Sequence, residues 1–100
     1  MKLGILVNTD RHFAVITGIA RAASAKGHQV ILFAMDAGTR LLADPACGAL
    51  CQLPGVSLSF CHESAIRAGV SVNFLPEVIV SGSQLQNAMM VREADRIIVL

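Results

Sequence analysis

Val56–Val70, VSLSFCHESAIRAGV, holds the change of pattern from which the fold is read. A short apolar run, Val56 to Phe60, stops at Cys61, and a helix-like segment, His62 to Ala68, follows and closes on Gly69. An apolar run passing directly into helical spacing reads as a buried strand leading into a helix. Cys61 therefore stands where the helix begins. Unpaired backbone N–H groups and a partial positive charge gather there, and both favour thiolate over thiol.

Upstream, Pro54-Gly55 is a turn, and Asp44-Pro45 reads as an N-cap followed by Pro at the first helical position, opening a short helix to about Leu53. Asp36–Thr39 is a loop that caps a weak helix from Arg40 onward. Gln29–Phe33 and Leu3–Val7 are continuous apolar runs of the kind covered on both faces. Between them, Asn8–His12 is a polar break, and Phe13–Lys26 has helical spacing with Gly27 as its stop. Downstream, Pro76 argues against a central strand, so Val70–Val80 reads mostly as loop. Ser81 or Ser83 caps a helix Gln84–Ala94, with Leu85, Ala88, Met89 and Arg92 on nearby faces, and Arg96–Leu100 is a closing strand.

Strands alternating with helices define an α/β fold. The expectation is one small three-layer domain over residues 1–100, with a mostly parallel sheet of about four or five strands flanked by helices. In such sheets ligands sit outside the carboxyl ends of the strands, where strand order reverses. Three loops fall at that edge: Asn8–His12, Met35–Thr39 and Cys61–Glu63.

Composition narrows the partners. At 54% apolar the chain can build a core, and with 4% aromatic that core is aliphatic. Only 15% of residues are charged, against roughly 25% in an average soluble domain. So small a surface with so little charge points to apolar faces buried between subunits, hence a homo-oligomer. Net charge is +1 with scattered basic residues, which argues against nucleic acid. No apolar run approaches the roughly 18 residues of a spanning helix, and MKLGILVN reads as a buried strand instead of a signal peptide. Three cysteines without an export signal read as free thiols in a reducing cytoplasm.

The residues then show a resemblance. A buried first strand with a polar exit is followed by Phe33-x-x-Asp36-x-Gly38, by Cys61-x-x-Ser64-Ala65-x-x-x-Gly69, and by Glu93-Ala94-Asp95-Arg96 running into a terminal strand. Together these resemble the DsrE/DsrF-like family, which includes sulfur-relay subunits of the TusD type. The resemblance implies a small DsrEFH-like α/β protein with a flavodoxin-like strand order, assembled as a trimer or hexamer. It also implies sulfur carried as a persulfide on Cys61, exchanged with sulfur-donor and acceptor proteins. Cys47 and Cys51 have no counterpart in that pattern.

Each candidate has an ordinary explanation beside the functional one. Cys61 could be a small buried apolar residue. His62 either stabilises the thiolate as imidazolium or is an exposed first-turn residue; neighbours on a helix point about 100° apart. Glu63 is accounted for by the helix dipole. Asp10, Arg11 and His12, on the first loop, are either solvated or the rim of a pocket, a rim to which Asp36 and Gly38 also belong. Cys47 and Cys51, four apart, share a helix face, but their spacing matches structural zinc poorly. The expectation is no metal and no cofactor: G-x-G-x-x-G, the phosphate loop and G-x-S-x-G are all missing. Two other functions compete with sulfur carriage. One is a non-catalytic assembly or regulatory module in which Cys61 is packing, the other a small-molecule binding protein using the loop edge.

Overall fold

The computed structural model describes residues 1–100. Five strands alternate with four α-helices: β1 (Lys2–Val7), α1 (Phe13–Ala25), β2 (Gln29–Ala34), α2 (Pro45–Leu50), β3 (Val56–Cys61), α3 (His62–Arg67), β4 (Ile79–Gly82), α4 (Gln84–Glu93) and β5 (Arg96–Val99). Single-stretch 3-10 helices occupy Asp36–Ala43 and Val72–Phe74. All strand pairs are parallel, in the order β4-β3-β2-β1-β5. The α/β class and the flanked parallel sheet are as the sequence indicates. The order is not: a flavodoxin-like sheet runs 2-1-3-4-5, whereas here β1 to β4 step one way and β5 returns to the far side of β1.

That order distributes the helices unequally. Crossovers between parallel strands are right-handed, so three steps in one direction put their helices on one face and the return step puts α4 on the other. Alternation along each strand does the rest. Leu3, Ile5, Val7, Val30, Leu32, Ala34, Val56, Leu58, Phe60 and Ile79 face the thick side, where Ile16 and Ala20 of α1, Leu50 of α2 and Ala65 of α3 close the main core. The thin side has a second cluster of Phe33, Cys61 and Met90, with Leu6, Ile31 and Met35 against it. One helix cannot cover five strands. Val80 on β4 and Ile97 and Val99 on β5 stay exposed, as do Leu85, Met89 and Val91 on α4.

Three local expectations change. Val70–Val78 is loop and turn with one 3-10 stretch, as the sequence indicates, but the last two residues of Val70–Val80 open β4, which starts at Ile79; Pro76 precedes it and its carbonyl accepts the Ile79 N–H at 3.0 Å. A proline ahead of an edge strand removes no ladder bond. The α4 helix ends at Glu93, one residue short, and buries only Met90, leaving Leu85 and Met89 exposed, since a helix lying alone on a sheet buries only a narrow stripe. The helix opened by Asp44 ends at Leu50, short of Leu53; its cap is as expected, with the Asp44 carboxylate accepting from Ala46 N–H at 2.9 Å.

Candidate functional site

β3 and β4 are neighbours, yet the chain leaves β3 for α3 on the thick side and β4 for α4 on the thin side. Adjacent strands that send their helices to opposite faces open a crevice at their carboxyl ends. Cys61 is the last residue of β3 and is paired in register with Gly82, the last of β4. The cysteine thus lies at the one place where this topology opens the sheet edge.

Two helix starts converge on it. Cys61 is the N-cap residue of α3, with extended backbone (φ −77°, ψ 112°) and no side-chain capping bond of its own. From the other side α4 begins at Ser83 with a capping box: Ser83 Oγ accepts from Leu85 N–H at 3.2 Å, and Gln86 Oε1 accepts from Ser83 N–H at 2.6 Å. Gln86 folds back over Gly82, where any Cβ would strike its side-chain amide. Glycine at the end of β4 therefore leaves room for the Gln86 side chain that caps the start of α4.

Cys61 is 6% exposed, packed with Phe33 and Met90. Burial resists ionisation, but donors around the sulfur outweigh it. The hydroxyl and backbone N–H of Ser64, the side-chain amide of Gln84 and the backbone N–H of Glu63 together lower the thiol below its ordinary range. Cys47 is the opposite case. Burial, then the Asp44 carboxylate and Cys51, push it up to about 12, and burial also raises Cys51. Cys51 Sγ leans on the Cys47 carbonyl at 3.8 Å. All three thiols are free. Cys47 belongs to the thick-side core, across the sheet from Cys61, so it is not placed to resolve a disulfide with it. The structure brings no three His, Cys, Asp or Glu side chains together as a metal-binding group.

The other residues singled out from the sequence are dispersed. His62 turns toward β4, its Nδ1 3.2 Å from Ser81 Oγ, and lines a groove of about 220 Å³ with Phe60, Glu77 and Ile79. Glu63 pairs with Arg67 one turn on. Asp10 faces Arg40 at 3.6 Å. His12 is the exposed N-cap of α1 and its side chain makes no capping bond. Asp36 has positive φ (49°) at the exit of β2 and shares a recess of about 170 Å³ with Arg40, Ser64 and Arg67. Gly38 is buried so tightly on the Val7 carbonyl that no side chain fits. A wider groove of about 540 Å³, between Arg40–Gly48 and Ala68–Pro76, contains none of these residues except Arg40. Ser64 has a signal in the sequence, three residues after Cys61. Gln84 has none, because only the β3–β4 pairing brings it to the thiol.

No helix is long and apolar enough to cross a membrane. No curated protein matches the chain. Solved structures share its fold across nearly their full lengths. A protein of unknown function, MTH1491 from Methanobacterium thermoautotrophicum, superposes with a TM-score of 0.78 at 14% identity, covering 99% of this chain and 98% of that one. The ychN protein of E. coli gives 0.73 at 13% identity, covering 99% and 97%. A conserved protein of unknown function, BT1422 from Bacteroides thetaiotaomicron, gives 0.69 at 19% identity, covering 99% and 94%. The DsrE/DsrF-like family model matches residues 1–100. With that match spanning its whole length, the chain belongs to the DsrE/DsrF-like family.

Proposed function

We propose that this protein is a cytoplasmic, sulfurtransferase-like sulfur carrier of the TusD-type relay kind, with Cys61 as the carrier thiol. The observation that supports this best is the ring of donors that lowers the Cys61 thiol at the β3–β4 crevice. The Cys61 thiolate attacks the outer sulfur of a donor persulfide; the donor S–S bond breaks and the donor leaves as thiolate. Cys61 then carries the sulfane sulfur as a persulfide until an acceptor thiolate attacks that outer sulfur and Cys61 leaves as thiolate. Each step exchanges one thiolate for another, so no oxidant is required. Backbone N–H groups and the Ser64 hydroxyl stabilise the leaving Cys61 thiolate as they stabilise the attacking one.

We read the assembly as a homo-oligomer, trimeric or hexameric as in the family. Support comes from the exposed apolar residues of the thin side, Val80, Met89 and Val99 among them, which one helix leaves uncovered.

A second reading has one observation in its favour. Cys61 is only 6% exposed beside Phe33 and Met90, as a packing cysteine in a non-catalytic assembly or regulatory module would be. Intact-mass spectrometry after incubation with a sulfane-sulfur donor separates the two. The carrier gains one sulfur, about 32 Da, which Cys61→Ser does not; a wild type that gains nothing is the assembly module.

A further inference from the structure

We infer that Gln84 is a positioning residue for the Cys61 thiolate, aimed by Asn87 and carried to the site by the α4 cap. The inference rests on Cys61 being the working thiol.

The side-chain amide of Gln84 has a donor end and an acceptor end, and its neighbours decide which faces the sulfur. Gln84 Oε1 accepts from Asn87 Nδ2 at 3.2 Å, one turn along the same helix. With the oxygen held there, Nε2 points to the thin-side cluster, where it lies 3.9 Å from Met35 Sδ, and the Gln84 amide is one of the groups that lower the Cys61 thiol. Met35 packs against the cluster that contains Cys61. The end of the amide that faces this cluster is therefore its N–H end, with the oxygen turned to Asn87. A neutral thiol needs an acceptor for its proton, whereas a thiolate needs donors. The arrangement fits the ionised form.

Gln84 differs from the other donors in where it comes from. Ser64 and the Glu63 N–H belong to α3, the element that follows Cys61 directly. Gln84 belongs to α4, which reaches the site only through the β4 pairing and the Ser83–Gln86 cap. Its exposed position at the first turn of α4 makes it replaceable without disturbing the core. Asn87 is partly buried, and its Oδ1 is buried without a partner. An amide kept there with one end unsatisfied has its donating end committed to Gln84.

The test is the pH profile of Cys61 alkylation by iodoacetamide, resolved by peptide so that Cys47 and Cys51 do not contribute. It is read in wild type, Gln84→Leu, Gln84→Lys and Asn87→Leu, each checked for fold by melting temperature. Gln84→Leu is expected to raise the Cys61 midpoint by about half to one pH unit, up to tenfold less thiolate at neutral pH. Gln84→Lys keeps a donor and adds positive charge, so its midpoint falls to or below that of wild type. Asn87→Leu raises the midpoint by less than Gln84→Leu. A merely structural Gln84 would not shift the Leu and Lys variants in opposite directions. Coincident midpoints in wild type and Gln84→Leu overturn the inference, as does a folded wild type in which Cys61 never alkylates.

Sulfane-sulfur uptake is measured in parallel by mass. Uptake without a midpoint shift removes Gln84 and keeps the carrier; a shift without uptake keeps Gln84 and removes the carrier.

Discussion

Cys47 and Cys61 lie on opposite faces of one parallel sheet, and their thiols are displaced in opposite directions. Cys47 is enclosed among aliphatic side chains with a carboxylate nearby, and Cys61 is ringed by donors. At neutral pH, iodoacetamide is therefore expected to modify Cys61 first and Cys47 last, only after unfolding. Peptide mapping over a time course checks the order, and modification of Cys47 ahead of Cys61 would reverse the assignment of the reactive thiol.

The same displacement sets a pH dependence of stability. The folded-state thiol of Cys47 is raised to about 12, so the unfolded chain releases that proton at lower pH than the folded one. The contribution of Cys47 is fully present below the unfolded thiol's value and is lost as pH rises toward 12. The loss is complete only above that value and then amounts to about 4 kcal/mol. Cys61 is lowered, so it contributes stability above the unfolded value, and that contribution is lost as pH falls through the folded one. Urea midpoints across alkaline pH are expected to fall more steeply in wild type than in Cys47→Ala.

His62 follows Cys61 in the chain but bonds to Ser81 and is not among the groups that lower the thiol. His62→Ala is expected to leave the pH midpoint of Cys61 alkylation within about 0.2 units of wild type, given that neighbouring helical side chains diverge. A rise as large as that of Gln84→Leu would restore the imidazolium to the site.

Gly38 closes the loop after β2 directly onto the Val7 carbonyl. Gly38→Ala forces that backbone apart, and overpacking at such a contact costs about 1–3 kcal/mol. The melting temperature should fall by several degrees, by about 4–8 °C per kcal/mol for a domain of this size. An unchanged melting temperature would mean that the loop yields freely.

On the thin side, Val80 and Val99 are 53% and 57% exposed, at the two edges of the sheet. If copies of the chain cover this face, Val80→Lys with Val99→Lys dissociates the oligomer and leaves the fold intact, because neither side chain is buried within a protomer. Light scattering together with circular dichroism reads both. A wild type that is monomeric at micromolar concentration would remove the oligomer altogether.

Local chemistry made much of this legible in the chain itself. Apolar runs such as Gln29–Phe33, stops such as Gly27, and the Asp44-Pro45 start are short-range signals, and they marked the strands and helices to within a few residues. The β4 strand escaped because it is four residues long and follows Pro76, and a proline penalises only the N–H it lacks. The buried stripe of α4 escaped because its width depends on what lies beneath the helix.

By itself, then, the sequence determined the α/β class, the boundaries of most elements and the place of Cys61 at a strand exit, all of which depend on residues near one another in the chain. Tertiary structure alone decided the 4-3-2-1-5 order, the unequal covering of the two faces, the opposite fates of Cys47 and Cys61, and the arrival of Gln84 at the thiol. Those depend on which strands pair. Gln84 and Cys61 are 23 positions apart in the chain and meet only because β4 lies beside β3 and its helix crosses to the other face.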